Sequence, residues 1–306
     1  MSYNLRWSSQ ISELVAKSST KLSLMRGLKF KLDRRSLETV YTSFIRPCLE
    51  YADVLWAGTY DSDLLKLDRV QIDAMRIVTG ATEKSNIQSL YEETGWTRLQ
   101  DRRTAHVLTL MYKMVNDLAP TYLTNLLPNT VGEGMNYGLR NNNAIKAPFT
   151  RTESFRRSFV PYAINAWNTL PAETRDIATL QLFKVAIKPQ ENLKELYYYG
   201  ERWPAIHHAR TRIGCSKLNA HLCLNLHVIP LPTCQCGYEV EDPMHFYLHC
   251  PIYMVQREKM IRTLTALTPP TLDTILFGNP NLQLEENKLV FSAIHTYILE
   301  TERFSN

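Results

Sequence analysis

From Ser8 to Leu127 apolar residues recur at helical spacing almost without a break, and no run alternates as a half-buried strand would. Leu37, Val40, Tyr41, Phe44, Cys48, Tyr51 and Leu55 fall on one stripe, and Pro47 within it predicts a kink. Ser85 with Gln88, and Thr97 with Gln100, have the spacing of capping boxes that open further helices. Over Arg98 to Asn116 the pattern predicts a two-faced helix. Leu99, Val107, Leu110, Met111 and Met114 form a packing side, and Arg102, His106 and Lys113 form a second, basic side. Residues 129–152 combine Gly132, Gly134, Gly138, Pro148 and a cluster of asparagines, the composition of a long loop or linker. Helical spacing returns around Phe155 to Trp167, ending near Pro171. It returns again over Leu180 to Tyr199, interrupted by Pro189, and then over 205–226, 252–267 and 284–304. The expected fold is mainly α, with no internal repeat.

Length and composition set the scale. A chain of 306 residues suits about two domains, and 44% hydrophobic residues is enough for a packed core. No signal-peptide pattern opens the chain, and no apolar run approaches the roughly 20 residues of a membrane span. A soluble protein of the nucleus or cytoplasm is therefore expected. The net charge of +5 is placed unevenly: residues 1–200 hold 26 bases against 20 acids, and the remainder 9 against 10. Between Arg140 and Arg157, Arg140, Lys146, Arg151, Arg156 and Arg157 face the single acid Glu153, and from Arg202 to Tyr238 there is no acid at all. Stretches of this kind are the footprint of a polyanionic partner, although a modest excess is also ordinary for a solvated surface.

Five of the six cysteines lie between His207 and Cys250, with most of the histidines. Such clustering suits a metal site in a reducing compartment better than a disulfide framework. Cys234, Cys236, His245 and Cys250 supply three thiolates and an imidazole within seventeen residues, as C-x-C-x8-H-x4-C. That donor set matches the tetrahedral preference of zinc, and four protein ligands leave no open position, so the ion would be structural. Zinc modules more often open with at least two residues between the first cysteines. Gly237, directly after the second, can take positive φ and relieve the tighter turn. His249 competes with Cys250 for the fourth position. Cys215 and Cys223 fall outside the compact set and are expected to be buried in a helix.

No Walker loop, Gly-x-Ser-x-Gly elbow or His-Glu-x-x-His occurs. Tyr51-Ala-Asp53-Val54 has the look of the polymerase Tyr-x-Asp-Asp turn, but two-metal catalysis needs adjacent carboxylates, and valine stands at the second position. Asp53 is therefore expected to be structural.

The order of segments resembles the C-terminal part of a non-LTR (LINE-type) retrotransposon reverse transcriptase over nearly the whole chain. The resemblance is carried by Ser43 to Trp56 (SFIRPCLEYADVLW), Thr94 to Arg103 (TGWTRLQDRR), Tyr112 to Leu123 (YKMVNDLAPTYL) and Phe155 to Pro161 (FRRSFVP). Ala166 to Pro171 (AWNTLP), Arg210 to Gly214 (RTRIG) and Glu241 to Phe246 (EDPMHF) complete it. It implies a helical thumb at 1–128, a basic linker region with short helices at 129–200, and a C-terminal helical module at 201–306. The last would contain a Cys-Cys-His-Cys zinc knuckle at 234–250, with Cys234, Cys236, His245 and Cys250 as ligands. It also implies RNA or DNA as partner, in target-primed reverse transcription. The chain begins where the thumb would begin, so the palm carboxylates and the endonuclease domain are expected to lie outside it. Alone it would bind nucleic acid without catalysis, and no small-molecule substrate or membrane is expected. Phosphate contacts are expected from Arg102, Arg103, Arg156, Arg157, Arg210, Arg212 and Lys217. The alternatives are a partial copy of a full-length RNA-directed DNA polymerase, or a host protein-interaction scaffold using Trp56, Trp96, Trp167 and Tyr197 to Tyr199.

Overall fold

A computed structural model describes residues 6–132 and 144–305; Gly134, Gly138 and Arg140 of the expected linker lie outside them. The chain is mainly α-helical, and no β-strand occurs among the described residues, only an isolated Thr130 to Ile145 bridge.

Two compact units are assembled, each from three stretches of sequence. The first comprises Met1–Lys21, Phe44–Gln71 and Thr97–Glu191. Its centre is the Leu99–Val115 helix, in which Leu99, Val107, Met111 and Met114 of the expected apolar side are buried, Leu110 is partly buried, and Tyr112 joins them. Against it pack the Asp53–Trp56, Phe159–Asn168 and Leu180–Ile187 helices. Tyr112 stacks on Phe183 at 4.4 Å between ring centroids and donates its hydroxyl hydrogen bond to the Ile177 carbonyl at 2.8 Å, so that buried polar tip is satisfied. Trp56 and Trp167 are fully buried, which takes them out of any interaction surface.

The second unit comprises Leu22–Ser43, Ile72–Trp96 and Asn192–Asn306. The Leu284–Glu300 helix runs through it, opened by a true capping box in which Gln283 and Glu286 satisfy each other's backbone N–H groups. It packs against the Met254–Thr265 and Arg202–Ile213 helices around Phe246, Tyr247, Phe291, Ile294 and Tyr297. Trp96 is buried in this unit, stacked on Tyr41 at 4.1 Å. Arg202 and Arg210 donate to the last carbonyls of the Asp61–Thr79 helix and just beyond, at Ile77, Val78 and Gly80, supplying the cations a helix C-terminus favours.

Three local expectations are corrected. The stripe from Leu37 to Leu55 is interrupted, because Tyr41–Ile45 forms a π-helical turn. The wider turn shifts the phase, leaving Phe44 61% exposed while Tyr41 and Leu49 are buried. The expected capping boxes do not form. Asn86 caps the Ile87–Thr94 helix by accepting from Gln88 and Ser89, and Arg98 stands at the start of the Leu99–Val115 helix without a side-chain cap bond. Cys215 is buried just past a helix end, and Cys223 is only half-buried.

Candidate metal centre

Cys234, Cys236, His245 and Cys250 converge within the second unit, and their donor atoms all lie within 4.8 Å of one another. The local backbone explains each placement. Residues 234–237 make a tight turn in which Gly237 N–H donates to the Cys234 carbonyl at 3.0 Å. Cys234 N–H donates in turn to the Tyr238 carbonyl at 2.9 Å. Gly237 sits at φ +91°, a left-handed geometry that a side chain would strain, so glycine is what lets a single-residue gap bring both sulfurs to one side. The other two ligands bracket one π-helical turn, His245–His249. Cys250 N–H donates to the His245 carbonyl at 2.7 Å, a bond spanning five residues, so the four-residue gap between these ligands is the measure of that turn. His249, one step earlier on the turn, is not part of the cluster, and Cys250 takes the fourth position.

The spacing fits a tetrahedral ion. Sulfurs about 2.3 Å from a common centre would stand about 3.8 Å apart, and Cys234 Sγ and Cys250 Sγ are 3.7 Å apart. Cys236 Sγ lies 3.3 Å from His245 Nε2, which identifies the imidazole nitrogen that faces the cluster. Burial pushes the Cys234 thiol up to about 12 and holds His245 below the ordinary imidazole range. A neutral imidazole is ready to coordinate, whereas the buried thiol needs a cation to become thiolate. The cluster can therefore hold a metal ion.

Surrounding groups fix the ligands. Asp242 Oδ1 accepts from His245 N–H at 2.7 Å and anchors the start of the π turn. The Tyr238 ring stacks on His245 at 4.4 Å, nearly coplanar, and orients the imidazole although its Nδ1 has no hydrogen-bond partner. Buried Glu241 lies 3.9 Å from Cys234 Sγ, receives Arg303 Nε at 2.7 Å and accepts from Asn219 N–H at 2.9 Å. Arg257 donates to the Cys250 carbonyl. Three thiolates and a dication sum to a net negative centre, and Arg257 is placed to balance it, whereas Arg303 is matched by Glu241.

The expected phosphate contacts are dispersed. Arg212 is in the second unit with its side chain 4% exposed, doubly bonded to Glu93 at 2.8 Å, so its guanidinium is not on the surface. Arg210 is tied to the Gly80 carbonyl, and Lys217 is exposed. In the first unit Arg102 is paired with Glu50. Arg156 and Arg157 both meet Glu153, at 2.5 and 2.6 Å. Arg103 is only 2% exposed and lies at a cavity that Arg156 and Arg157 also line, so these three are brought together. Asp53, expected to be structural, is buried and accepts a 2.6 Å bond with His106 Nδ1, which raises the His106 pKa.

No family model, curated protein or solved structure matches the chain. No helix among the described residues is long and apolar enough to cross a membrane.

Proposed function

We propose that the chain is a nucleic-acid-binding segment of a LINE-type retrotransposon reverse transcriptase, in which a structural zinc ion orders the C-terminal module and helical units hold RNA template or target DNA. The observation that carries this reading is the closed three-cysteine, one-histidine centre, because its donors are the residues that the family resemblance implies as knuckle ligands. Zinc is favoured over harder ions by the thiolates, and over catalysis by the lack of an open position. Binding would be mainly to phosphates, through exposed cations such as Lys217 and Arg156 and through the partly engaged Arg102, Arg157 and Arg210. Under this reading the protein acts in the nucleus or cytoplasm, and this chain binds nucleic acid without polymerising it.

The test is fluorescence anisotropy with single-stranded RNA and DNA of matched sequence across a salt series. Phosphate-dominated binding predicts a slope of log affinity on log salt of about −0.7 per contact. A flat salt response, or purification with a defined protein partner and no affinity for either polymer, would refute it.

A further inference from the structure

The first unit holds a cavity of about 480 Å³, a volume typical of ligand sites. It is lined by Ala57 to Thr59, by Gln100 and Arg103 of the Leu99–Val115 helix, by Glu153, Arg156 and Arg157, and by Tyr162 and Asn165. Its chemistry is unusual in one respect. Arg103 is 2% exposed, yet its Nη1 and Nη2 have no hydrogen-bond acceptor. The nearest carboxylate, Asp68, stands 3.7 Å away, and its Oδ1 is itself unsatisfied. Buried donors of a charged group left without acceptors are costly, and such groups are retained where something else supplies the acceptor.

The rim supplies more cation. Arg156 is 64% exposed and Arg157 29% by side chain; both meet Glu153, and Arg157 also donates to the Thr59 carbonyl at 3.0 Å. Of the acids lining the cavity, Glu153 is committed to these two arginines, and Asp61 occupies the first turn of the Asp61–Thr79 helix, where the helix dipole favours it. Gly58 closes the wall: a Cβ there would meet the Arg157 carbonyl oxygen at 2.5 Å, so only glycine lets the Arg157 backbone come this near. Asp68 supplies Arg103 with a carboxylate at 3.7 Å, but at that distance neither Nη1 nor Nη2 is hydrogen-bonded.

We propose that this cavity binds a phosphate group, with Arg103 as the buried anchor and Arg156 and Arg157 at the rim. Arg103 can offer an oxyanion both of its unpartnered Nη groups, and Arg156 and Arg157, although each also meets Glu153, add two more guanidinium groups at the rim. The group could arrive as free phosphate or as the terminal phosphate of a strand. The second case deepens the nucleic-acid reading and rests on it, whereas the first does not.

The test is thermal unfolding and calorimetry with inorganic phosphate against sodium chloride at matched ionic strength. A short single strand is titrated alongside, carrying either a 5′-phosphate or a 5′-hydroxyl. Phosphate should stabilise the protein beyond chloride. Arg103→Gln should abolish that response, and Arg156→Gln, at the exposed rim, should weaken phosphate affinity by about tenfold even if the first variant does not fold. Tighter binding of the 5′-phosphorylated strand assigns the occupant to a strand end; equal binding of the two strands, with a response to inorganic phosphate, assigns it to free phosphate. An identical response to phosphate and chloride, or full phosphate affinity in Arg156→Gln, would overturn the proposal. Salt-dependent binding of the 5′-hydroxyl strand would still be measured, so loss of the pocket and loss of the nucleic-acid reading are told apart.

Discussion

Replacing Glu93 by glutamine tests the polar layer that ties the second unit together. The carboxylate is 3% exposed by side chain and takes three charge-assisted hydrogen bonds. Arg34 Nη1 donates at 2.7 Å, and Arg212 Nε and Nη2 each donate at 2.8 Å. Arg34 Nη2 also reaches the Glu93 carbonyl, at 2.6 Å. Burial alone would push the Glu93 carboxyl up, but Arg212 and Arg34 outweigh it and hold the group below the usual carboxylate range. Glutamine keeps the shape, removes the charge, and turns an NH₂ toward a guanidinium. Arg34 would retain Glu38 at 3.4 Å, whereas Arg212 would keep the Leu276 carbonyl at 3.3 Å and the Tyr197 and Phe291 rings at 4.0 and 5.7 Å, with no carboxylate. Breaking a buried pair by removing one partner costs about 3–5 kcal/mol, because the remaining charge stays desolvated. The loss should appear in urea unfolding followed by circular dichroism. With a slope near 2 kcal/mol per molar, the midpoint should fall by about 1.5 M or more. Exposed Glu92, which only accepts from Gln88, is the control, and Glu92→Gln should stay within about 0.5 kcal/mol. The contribution of Glu93 is present above its unfolded pKa and is lost as pH falls through the lowered native one, so wild type and variant should converge in acid. A Glu93→Gln protein within about 1 kcal/mol of wild type at neutral pH would refute the reasoning, since a pair this buried could then not be holding the unit.

Further outcomes follow from the same unit. His295 is buried, and desolvation followed by repulsion from Arg212 lowers its pKa from 6.5 to about 4. It is neutral in both states above about pH 7. Below its unfolded pKa only the unfolded chain takes up the proton, so stability should fall by about 2 kcal/mol between pH 7 and pH 5. A His295→Gln variant should lose that part of the slope, and an unchanged pH profile would count against it. Asp242→Ala removes the acceptor that anchors the π turn at His245 and should weaken metal affinity about tenfold in competition with a chromogenic chelator. Gly237→Ala forces a side chain to φ +91° and should cost about 1–2 kcal/mol of metal-bound stability by thermal unfolding, although no neighbouring atom blocks the new methyl group.

What could be read from the sequence was what is local. The Leu99–Val115 helix carried its buried side in its own periodicity. The donor tetrad was visible because all four residues fall in one short segment, and Gly237 was visible for the same reason. The choice between His249 and Cys250 was not, because it depends on the phase of a π turn, and a turn of this kind leaves no periodic signal. The same cause hid the exposure of Phe44. Arginines were the hardest to assign. Arg103 and Arg212 look like surface cations beside Arg102 and Arg210, and only the fold brings Glu93 to Arg212 and Asp68 to Arg103. Trp56, Trp96 and Trp167 likewise have the composition of an interaction surface and the burial of a core.

The most direct measurement is the metal content of the purified protein by mass spectrometry, on wild type and Cys236→Ser side by side. One zinc per chain in the wild type, and none in the variant, is the predicted result, with loss of helicity when a chelator removes the ion, because binding and folding of such a module are coupled. A wild-type protein that folds without metal and ignores chelators, or a variant that keeps its zinc, would contradict the assignment of Cys234, Cys236, His245 and Cys250 as a metal centre.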